Sequence, residues 1–365
     1  MPAREHEPLP IWVDPRRYVA HPHLARLADG AWLLVATSAP RRAVTLHPPL
    51  DPAFVTVALR STDEGRSWSE PTPVPATGHA GAECAGLTPL PDGSVLCNQW
   101  RYRWYAEGDS PDEPVADARA LRAELAASAE LDDIADAGIE WSRGGGVATV
   151  WRSADQGRSW SDPVVLDVAL YSGGYGLRGG VAFPGGEVVL PLCDPPHYAR
   201  VFLVRSRDGG RSWSPSEPVA AVDGLAFEEP APLALPGGTL LMLLRENTAR
   251  VLHAIRSEDR GRTWSLPIAT GLAGYPAHPV RLDDGRLAVV TGVRRPRGSI
   301  HLALSGDGGR SWERAIDVAG DLDTHDCGYP SAVNTDDGGL FVAYYRRDCD
   351  GVTGLHGRRL AATDF

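Results

Sequence analysis

The sequence predicts an all-β fold, a six-bladed β-propeller formed by a single domain spanning residues 1–365. Its 40 glycines and 31 prolines separate short apolar runs such as WLLVAT and LAVVTG, which is typical of strands joined by turns. Two families of short repeats also alternate along the chain. Four strands in each period of roughly 40 to 50 residues are the pattern of a propeller blade, so these repeats favour one repetitive domain.

The first repeat is a β-hairpin. Each copy contains a strand, an Asp-Gly or Gly-Gly turn and a second strand, as in TPLPDGSVLC. Six such hairpins predict six blades. Their turn glycines are Gly30, Gly93, Gly186, Gly238, Gly285 and Gly338.

The second repeat is the motif Ser-x-Asp-x-Gly-x-x-Trp, which we call the Asp-box turn. Ser and Asp can cap the turn's own backbone, Gly supplies a positive φ, and Trp can pack beneath the turn, so we predict a scaffold role for the motif. Five copies for six blades leave the last blade without one, and we expect a strand around PIWVD, residues 10–14, to complete that blade. The copies begin at Ser61, Ser153, Ser206, Ser257 and Ser305.

Residues 105–143 predict an acidic helical insertion in the second blade. This segment holds eleven carboxylates and three arginines, a net charge of −8 out of −11 for the chain, so the remainder is close to neutral. Its apolar residues Leu121, Leu125, Leu131 and Ile134 have helical spacing. Three interpretations remain open: a solvated decoration, a lid over the central cleft, or a contact between copies of the chain in a homo-oligomer.

Composition excludes several classes of function. The chain contains no lysine, which excludes Schiff-base chemistry, and the absence of a basic stripe argues against nucleic-acid binding. There is no apolar signal region and no apolar run of about 18 residues, so we expect a cytoplasmic protein without a membrane partner. The cysteines form no CxxC pair and predict neither a disulfide framework nor a zinc site. They are Cys84, Cys97, Cys193, Cys327 and Cys349.

The hairpin glycines also predict a site, because equivalent positions in the innermost strands surround the propeller axis. His21, Glu229 and Tyr329 stand nine residues before their turn glycines, and Arg245 stands seven residues after its own. These polar residues are therefore expected to converge. The remaining candidates for substrate binding are His23, Arg41, Arg42, Tyr175, Arg178, Asp194, His278, Arg294, Arg295 and Arg297.

Asp-box turns on a six-bladed propeller resemble the sialidase (neuraminidase) superfamily, over nearly the whole chain apart from residues 105–143. The segment EPAPLALPGGTLLMLLR resembles the one that carries a glutamate and an arginine of the carboxylate-binding triad, which implies those roles for Glu229 and Arg245. GYPSAVNTDDGGLFVAYY resembles the segment with the nucleophilic tyrosine, here Tyr329. A tyrosine is a poor nucleophile at neutral pH unless a neighbouring base takes its proton, which is the part that Glu229 would play.

The resemblance implies two further parts of the site. RRPRGSIHLALSGDGG resembles the stretch that supplies the third triad arginine, here Arg295, with Arg294 and Arg297 as alternatives. Asp51, on the loop before the first Asp-box turn, takes the place of the acid that protonates the leaving oxygen. Arginines would bind a substrate carboxylate through paired hydrogen bonds and orient the sugar.

The chain departs from the family at the first triad arginine. Where sialidases have an Arg-Ile-Pro segment, this sequence has Ala20, His21 and Pro22. Loss of one charged hydrogen bond to the substrate is expected to cost about 1.5 to 3 kcal/mol of binding free energy. Arg41, Arg42 and Arg178 are the candidates to replace it.

The favoured function is therefore a sialidase-like glycoside hydrolase that acts on an acidic or otherwise polar sugar with a tyrosine nucleophile, without a metal or a cofactor. One alternative is a polysaccharide lyase that uses histidine and tyrosine as base and acid on a uronic acid. A second alternative is a non-catalytic propeller that binds glycans. Metal binding by His21, His23 and His278 with Asp194 is a third.

Overall fold

A computed structural model describes residues 8–106, 116–128, 138–294, 297–322 and 326–365, and its strands form six antiparallel sheets. These sheets are the six blades of a β-propeller, so the predicted all-β fold is confirmed. Within each blade the chain passes from the strand nearest the axis outwards. None of the helices in these ranges is both long and apolar enough to cross a membrane.

The strands are numbered in chain order. Blades 1 to 3 contain β2 (Arg17–Arg26), β3 (Trp32–Pro40), β4 (Val55–Ser61) and β5 (Thr72–Pro73); β6 (Ala80–Ala82), β7 (Gly86–Pro89), β8 (Val95–Ala106), β9 (Trp141–Ser153) and β10 (Val164–Val165); β11 (Val181–Ala182), β12 (Val188–Cys193), β13 (Val201–Ser206) and β14 (Glu217–Ala220). Blades 4 to 6 contain β15 (Phe227–Ala234), β16 (Leu240–Glu246), β17 (Val251–Ser257) and β18 (Ile268–Ala273); β19 (Ala277–Arg281), β20 (Leu287–Val293), β21 (Gly298–Ser305) and β22 (Glu313–Leu322); β23 (Gly328–Asn334), β24 (Leu340–Arg347), β25 (Thr353–Leu360) and the N-terminal strand β1 (Leu9–Trp12). The helices within the described ranges are α1 (Ala118–Ser128) and three short 3-10 helices, Pro48–Leu50, Pro236–Gly238 and Ala362–Asp364.

The ring is closed by strands from opposite ends of the chain. Strand β1 pairs antiparallel with β25, with Leu9 opposite Gly357. The last blade therefore takes its outermost strand from the N-terminal segment, as the missing sixth Asp-box turn predicts. This pairing hydrogen-bonds an edge of β25 that would otherwise be exposed.

The Asp-box turns have the scaffold geometry that their residues predict. In every copy the Ser hydroxyl donates to the Asp carboxylate over 2.7–2.8 Å, and the Gly amide donates to the Ser oxygen over 2.7–2.8 Å. The five glycines have φ between 78° and 85°, which an L-residue adopts only at a cost. The Asp carboxylates thus serve the turn's own backbone.

The Asp-box turns also join neighbouring blades. On the third strand of a blade, an arginine donates to a backbone carbonyl of the next blade's turn. These contacts recur around the ring, including the junction between blades 6 and 1, which explains why the same turn is repeated. They are Arg60 to Gln156 (2.7 Å), Arg205 to Arg260 (2.9 Å), Arg256 to Gly308, and Arg359 to Glu64 (2.9 Å).

The insertion in blade 2 contains the expected helix, α1. Its residues Leu121 and Leu125 are buried against Leu46 and Leu50, which lie on the loop between β3 and β4. Leu131 and Ile134, the other residues with helical spacing, lie outside the described ranges. The described part of the insertion therefore packs its apolar side chains on the chain's own loop, which we call the 41–54 loop.

A polar contact reinforces this packing. Arg143 on β9 forms an ion pair with Glu124 of α1 at 2.9 Å and donates to the Pro49 carbonyl of the 41–54 loop at 2.5 Å. The Arg143 side chain is 2% exposed and that of Glu124 is 44% exposed, so the pair joins a buried guanidinium to a carboxylate that solvent reaches. The helix, β9 and the loop are thereby held as one unit beside the axis.

Blades 2 and 3 approach each other too closely for a side chain at Gly179. A Cβ there would lie 1.8 Å from the Leu87 carbonyl oxygen of β7. We expect Gly179→Ala to lower the free energy of unfolding by at least about 3 kcal/mol, because the backbone of two blades must move apart. Urea unfolding measures the change.

Gly306→Ala is the matched control. A Cβ at Gly306 meets no atom within 4 Å, and the other Asp-box turns carry side chains at this position. Equal stability of the two variants would contradict the close approach of blades 2 and 3.

Candidate active site

Three innermost strands carry a bulge at the same position. Strands β2, β15 and β23 each shift register around an X-Pro pair, and X is His21, Glu229 or Tyr329. These residues have φ of 57°, 48° and 47°, a conformation that costs a non-glycine residue about 1–2 kcal/mol. A bulge redirects its side chain out of the strand's alternation. The equal spacing from the turn glycines therefore reflects one backbone feature that the three strands share, a bulge at an X-Pro pair.

The bulges of blades 4 and 6 bring Glu229 and Tyr329 into direct contact. The Tyr329 hydroxyl donates to Glu229 Oε1 over 2.6 Å, and both side chains are buried. Burial raises the pKa of Tyr329 well above its ordinary value, and the Glu229 carboxylate raises it further, whereas Arg294 and Arg245 oppose the shift. The free protein thus holds a neutral phenol against a carboxylate that can accept its proton.

Arg245 lies beside this pair and is held by four groups. Its Nη1 is 3.0 Å from Glu229 Oε2, and its Nε is 2.9 Å from both Glu228 Oε1 and the Asn247 side-chain oxygen. The guanidinium also stacks over the Tyr275 ring at 4.0 Å from the centroid. Burial alone would lower the Arg245 pKa, but the two glutamates raise it, so the group stays charged.

Glu228 and Glu229 share this single arginine. Burial raises the pKa of Glu228 to about 7, with Arg245 opposing the shift and Glu229 adding to it. The Glu228 side chain also accepts a hydrogen bond from Asn247 Nδ2 at 2.9 Å. Since one guanidinium cannot neutralise two buried carboxylates, one of the two retains a proton near neutral pH.

His21 occupies the corresponding bulge of blade 1. Its ring is 4.5 Å from the Tyr329 ring and 6.2 Å from that of His47 on the 41–54 loop. Its Nδ1 is 2.8 Å from the Thr37 hydroxyl, which donates its own proton to the Ala20 carbonyl. Thr37 must then accept from His21, which places the proton on Nδ1 and leaves a lone pair on Nε2. Burial lowers the His21 pKa, so the ring is neutral.

Arg294 is the described arginine next to Tyr329. Its guanidinium carbon is 5.0 Å from the Tyr329 ring centroid, and Nη2 donates to the Tyr345 hydroxyl over 2.7 Å. Tyr345 in turn donates to Asp326 over 2.9 Å. Of its sequence alternatives for the third triad position, Arg295 lies outside the described ranges and Arg297 is exposed.

The second strands of blades 1, 4 and 6 support the bulges through equivalent residues. Thr37, Arg245 and Tyr345 each stand seven residues after the turn glycine of their hairpin. Thr37 and Arg245 contact the bulge residue of their own blade, and the Tyr345 ring is 6.0 Å from the Tyr329 ring. Sequence reasoning found only Arg245 at this position, although the same spacing identifies the other two.

Arg178, His23 and His278 bind backbone groups of other blades, whereas the sequence predicted that they bind substrate. Arg178 donates to the backbone carbonyls of Ala277 (3.0 Å), Pro22 (3.4 Å) and Pro330 (2.8 Å). Each histidine Nδ1 accepts a backbone amide of the adjacent blade at 2.8 Å. These side chains therefore join inner strands across the axis, and they border a separate cavity of about 340 Å³. Arg178 cannot replace the missing triad arginine, because its nitrogens already serve those carbonyls.

Two predicted acidic residues are also committed to local contacts. Both Asp51 oxygens accept hydrogen bonds from Arg42, at 2.5 and 2.8 Å, and Asp51 Oδ1 accepts the Ala53 amide. Asp194 Oδ1 accepts the amides of Ala199 and Arg200. Arg42 is thus paired with Asp51 and not free to replace the triad arginine.

Arg41 is exposed, and its guanidinium donates to the Pro15 carbonyl. The His23 and His278 rings lie 5.3 Å apart, but no group of three or more potential metal ligands occurs within the described residues. The metal-binding alternative therefore has no support among them.

Blade 2 contributes residues that sequence reasoning missed. Glu83 is buried in the break between β6 and β7 and accepts hydrogen bonds from the hydroxyls of Tyr102 and Tyr198. The Tyr198 ring is 6.0 Å from that of Tyr175, a predicted candidate that is 3% exposed. Burial raises the pKa of Tyr175, and neighbouring groups including Cys84 and Glu229 raise it further. Tyr175 thus lies beside the tyrosine that holds Glu83.

Comparison with known proteins identifies the family. The model of the BNR repeat-like domain matches residues 134–342, more than half of the chain. The chain belongs to the BNR repeat-like domain family. No curated protein matched its sequence.

Solved structures place this BNR-repeat protein among propellers of the sialidase fold. A protein of unknown function from Dyadobacter fermentans has 25% sequence identity and a TM-score of 0.79, over 98% of this chain and 99% of that one. The NanB sialidase of Streptococcus pneumoniae has 13% identity and a TM-score of 0.70, over 99% and 71%. The intramolecular trans-sialidase of Ruminococcus gnavus has 15% identity and a TM-score of 0.64, over 95% of both chains. At these identities the two sialidases establish a common fold.

The Glu228 pKa leads to a stability prediction. The folded protein holds the Glu228 proton up to about pH 7, whereas the unfolded chain releases it near pH 4.5, so this group makes stability fall as pH rises between these values. Glu228→Gln removes the effect. Relative to the parent protein, the variant should gain about 2 kcal/mol of unfolding free energy between pH 5 and pH 8.

Glu246→Gln is the control for this measurement. Backbone amides of Ala249 and Thr248 lower the Glu246 pKa against an opposing effect of burial, so its contribution changes only below pH 5. Its effect on urea unfolding should be equal at both pH values. A Glu228→Gln variant that is destabilised equally at pH 5 and pH 8 would mean that Glu228 is the ionised partner of Arg245.

Proposed function

We propose that the protein is a retaining glycoside hydrolase in which Tyr329 is the nucleophile and Glu229 its base. The observation that carries this proposal is the 2.6 Å hydrogen bond from the Tyr329 hydroxyl to Glu229, formed by two strained bulges at the propeller axis. Backbone strain of this kind concentrates at functional sites. The names of the similar structures, which include sialidases, agree with the proposal.

The geometry suits a covalent mechanism. Attack by the Tyr329 oxygen on the anomeric carbon requires that the phenol lose its proton, and Glu229 Oε1 is in place to take it. Arg294 and Arg245 lower the pKa of Tyr329 against the effect of burial, so both favour the developing phenolate. Hydrolysis of the glycosyl-tyrosine by water then gives overall retention of configuration.

The substrate that fits best is a polar sugar that carries a carboxylate. The positive charges of Arg294 and Arg245 both lower the pKa of the Tyr329 phenol. A carboxylate bound there can accept hydrogen bonds from guanidinium N–H groups that Tyr345 and the glutamates do not use. The neutral His21 ring replaces the missing arginine and offers a hydrogen-bond acceptor at Nε2 instead of a charge.

A lyase is the second candidate, because one observation favours it. His21 carries its lone pair on Nε2 and lies 4.5 Å, ring to ring, from Tyr329. A neutral histidine could remove the proton next to a uronic-acid carboxylate, and the tyrosine could protonate the leaving oxygen.

Tyr329→Phe and His21→Ala separate the two reactions. For a hydrolase, Tyr329→Phe should remove turnover, while His21→Ala should mainly raise KM, because the tyrosine carries the covalent step. The measurements are product analysis and kinetics on glycosides of sialic acid, related ulosonic acids and glucuronic acid. Loss of turnover in both variants, with an unsaturated product from the uronide, would establish the lyase. Binding without turnover by the parent protein would establish a glycan-binding propeller.

Arg294→Gln tests recognition of a carboxylate. The change should raise KM for a carboxylate-bearing glycoside about 10- to 100-fold, through loss of a charged hydrogen bond. The corresponding sugar amide should be affected much less. Arg41→Gln is the control, since Arg41 is exposed and its guanidinium donates to the Pro15 carbonyl. Equal losses for the acid and the amide would contradict carboxylate recognition.

A further inference from the structure

Blade 2 presents a buried carboxyl group at the level of the other bulges. Glu83 lies between β6 and β7, two short strands that both pair with β8 and together form the broken inner strand of this blade. It stands ten residues before Gly93, and its neighbour Cys84 stands nine residues before, the spacing of His21, Glu229 and Tyr329. The side chain is 4% exposed.

Its hydrogen bonds make the two carboxyl oxygens unequal. Glu83 Oε1 accepts the hydroxyl of Tyr198 at 2.7 Å and that of Tyr102 at 2.8 Å. These two hydroxyl oxygens are 3.1 Å apart. With both donors on Oε1, a proton on this carboxyl group belongs on Oε2, where it can be donated to a ligand.

The surroundings of Glu83 favour its protonated form. Burial raises its pKa, and the Glu229 carboxylate raises it further, while Tyr198, Tyr102 and Arg143 oppose the shift. Arg143 is already paired with Glu124 and lies 5.2 Å from the Tyr102 ring. Differences between the environments of neighbouring carboxyl groups assign the acid and the base in other enzymes.

Asp51, the acid implied by family resemblance, has the opposite environment. Both of its oxygens are bound by the Arg42 guanidinium and Oδ1 also by the Ala53 amide. Arg42 in turn lies over the Trp141 ring at 5.2 Å. To donate a proton, Asp51 would first have to be released from this pair, whereas Glu83 needs no rearrangement.

We infer that Glu83 is the proton donor to the leaving oxygen in the proposed hydrolysis, an inference that rests on the proposed function. As the Tyr329 oxygen bonds to the anomeric carbon, its proton passes to Glu229, the glycosidic bond breaks, and the proton of Glu83 Oε2 passes to the leaving oxygen. In the second step water attacks the anomeric carbon and gives a proton to Glu83, while the released phenolate regains its proton from Glu229.

This sequence keeps the charge of the buried site constant. In the proposed first step one proton reaches Glu229 as another leaves Glu83, and in the second step both transfers reverse. A single negative charge therefore moves from one blade to another without a change in the total, which avoids the cost of adding charge to a low-dielectric site.

Glu83→Gln tests the inference, because the amide oxygen can still accept both tyrosine hydroxyls. The probes are methyl and 4-nitrophenyl glycosides of sialic acid and of glucuronic acid. Turnover of the methyl glycoside should fall about 100- to 10,000-fold, the usual contribution of a general acid. Formation of the glycosyl-tyrosine from the 4-nitrophenyl glycoside should change little, because nitrophenolate leaves without a proton. Added azide should then restore turnover and give a glycosyl azide of retained configuration.

Asp51→Asn is the matched comparison, and thermal unfolding of both variants checks their folding. If Asp51→Asn shows the leaving-group dependence and azide rescue while Glu83→Gln does not, Asp51 is the acid and the inference is wrong. Equal losses on both leaving groups in Glu83→Gln, without rescue, would reduce Glu83 to a structural residue. If the parent protein hydrolyses none of the four glycosides while it binds them, the proposed function itself fails.

Discussion

The geometry of the site depends on one buried guanidinium at the propeller axis. Arg178 reaches from blade 3 to the carbonyls of Pro22, Ala277 and Pro330, which belong to blades 1, 5 and 6. Pro22 and Pro330 directly follow the bulge residues His21 and Tyr329, so the same hydrogen bonds that tie the blades together also fix two of the side chains above them. Burial lowers the Arg178 pKa to about 10, opposed by Glu229 and other neighbours, so the group remains charged. Carbonyl dipoles directed at that charge take the place of a carboxylate partner.

Next to this junction the site contains more carboxyl groups than its arginines can neutralise, so the distribution of protons among them sets its charge. Glu83, Glu228 and Glu229 are all buried, and Arg245 pairs with Glu228 and Glu229. Burial raises the pKa values of Glu83 and Glu228. Their hydrogen-bond partners differ: Glu229 contacts Tyr329 and Arg245, whereas Glu83 accepts its described side-chain hydrogen bonds from the hydroxyls of Tyr102 and Tyr198. Acidic groups of one type thus acquire different roles from their neighbours, which is a general way in which enzymes perform acid and base chemistry at one pH.

The repeats made the fold and part of the site predictable. The turn glycines fixed the blade count, and equal spacing from them located His21, Glu229, Tyr329 and Arg245, because a periodic fold places equivalent residues at equivalent positions. Spacing from the glycine does not show how far along the propeller axis a side chain lies. His23 and His278 stand two residues further along their strands and were therefore predicted to line the cleft, although they accept backbone amides of adjacent blades. Glu83 was not predicted, because a break in the inner strand of blade 2 places it ten residues before the turn glycine instead of nine. The Asp51–Arg42 pair lies on a loop whose path no periodicity specifies.

The pairing of β1 with β25 has a consequence for how the chain reaches its native state. Strand β1 precedes the other described strands of the propeller in the chain, and its partner β25 follows them. Five blades can form from neighbouring segments, but the sixth requires contact between remote parts of the chain, a kind of pairing that is slow because loop entropy opposes it. Until then β25 has an open edge to which a strand of another molecule can add. Tyr329 belongs to this last blade, so a catalytic centre would form only when β1 pairs with β25 and closes the ring.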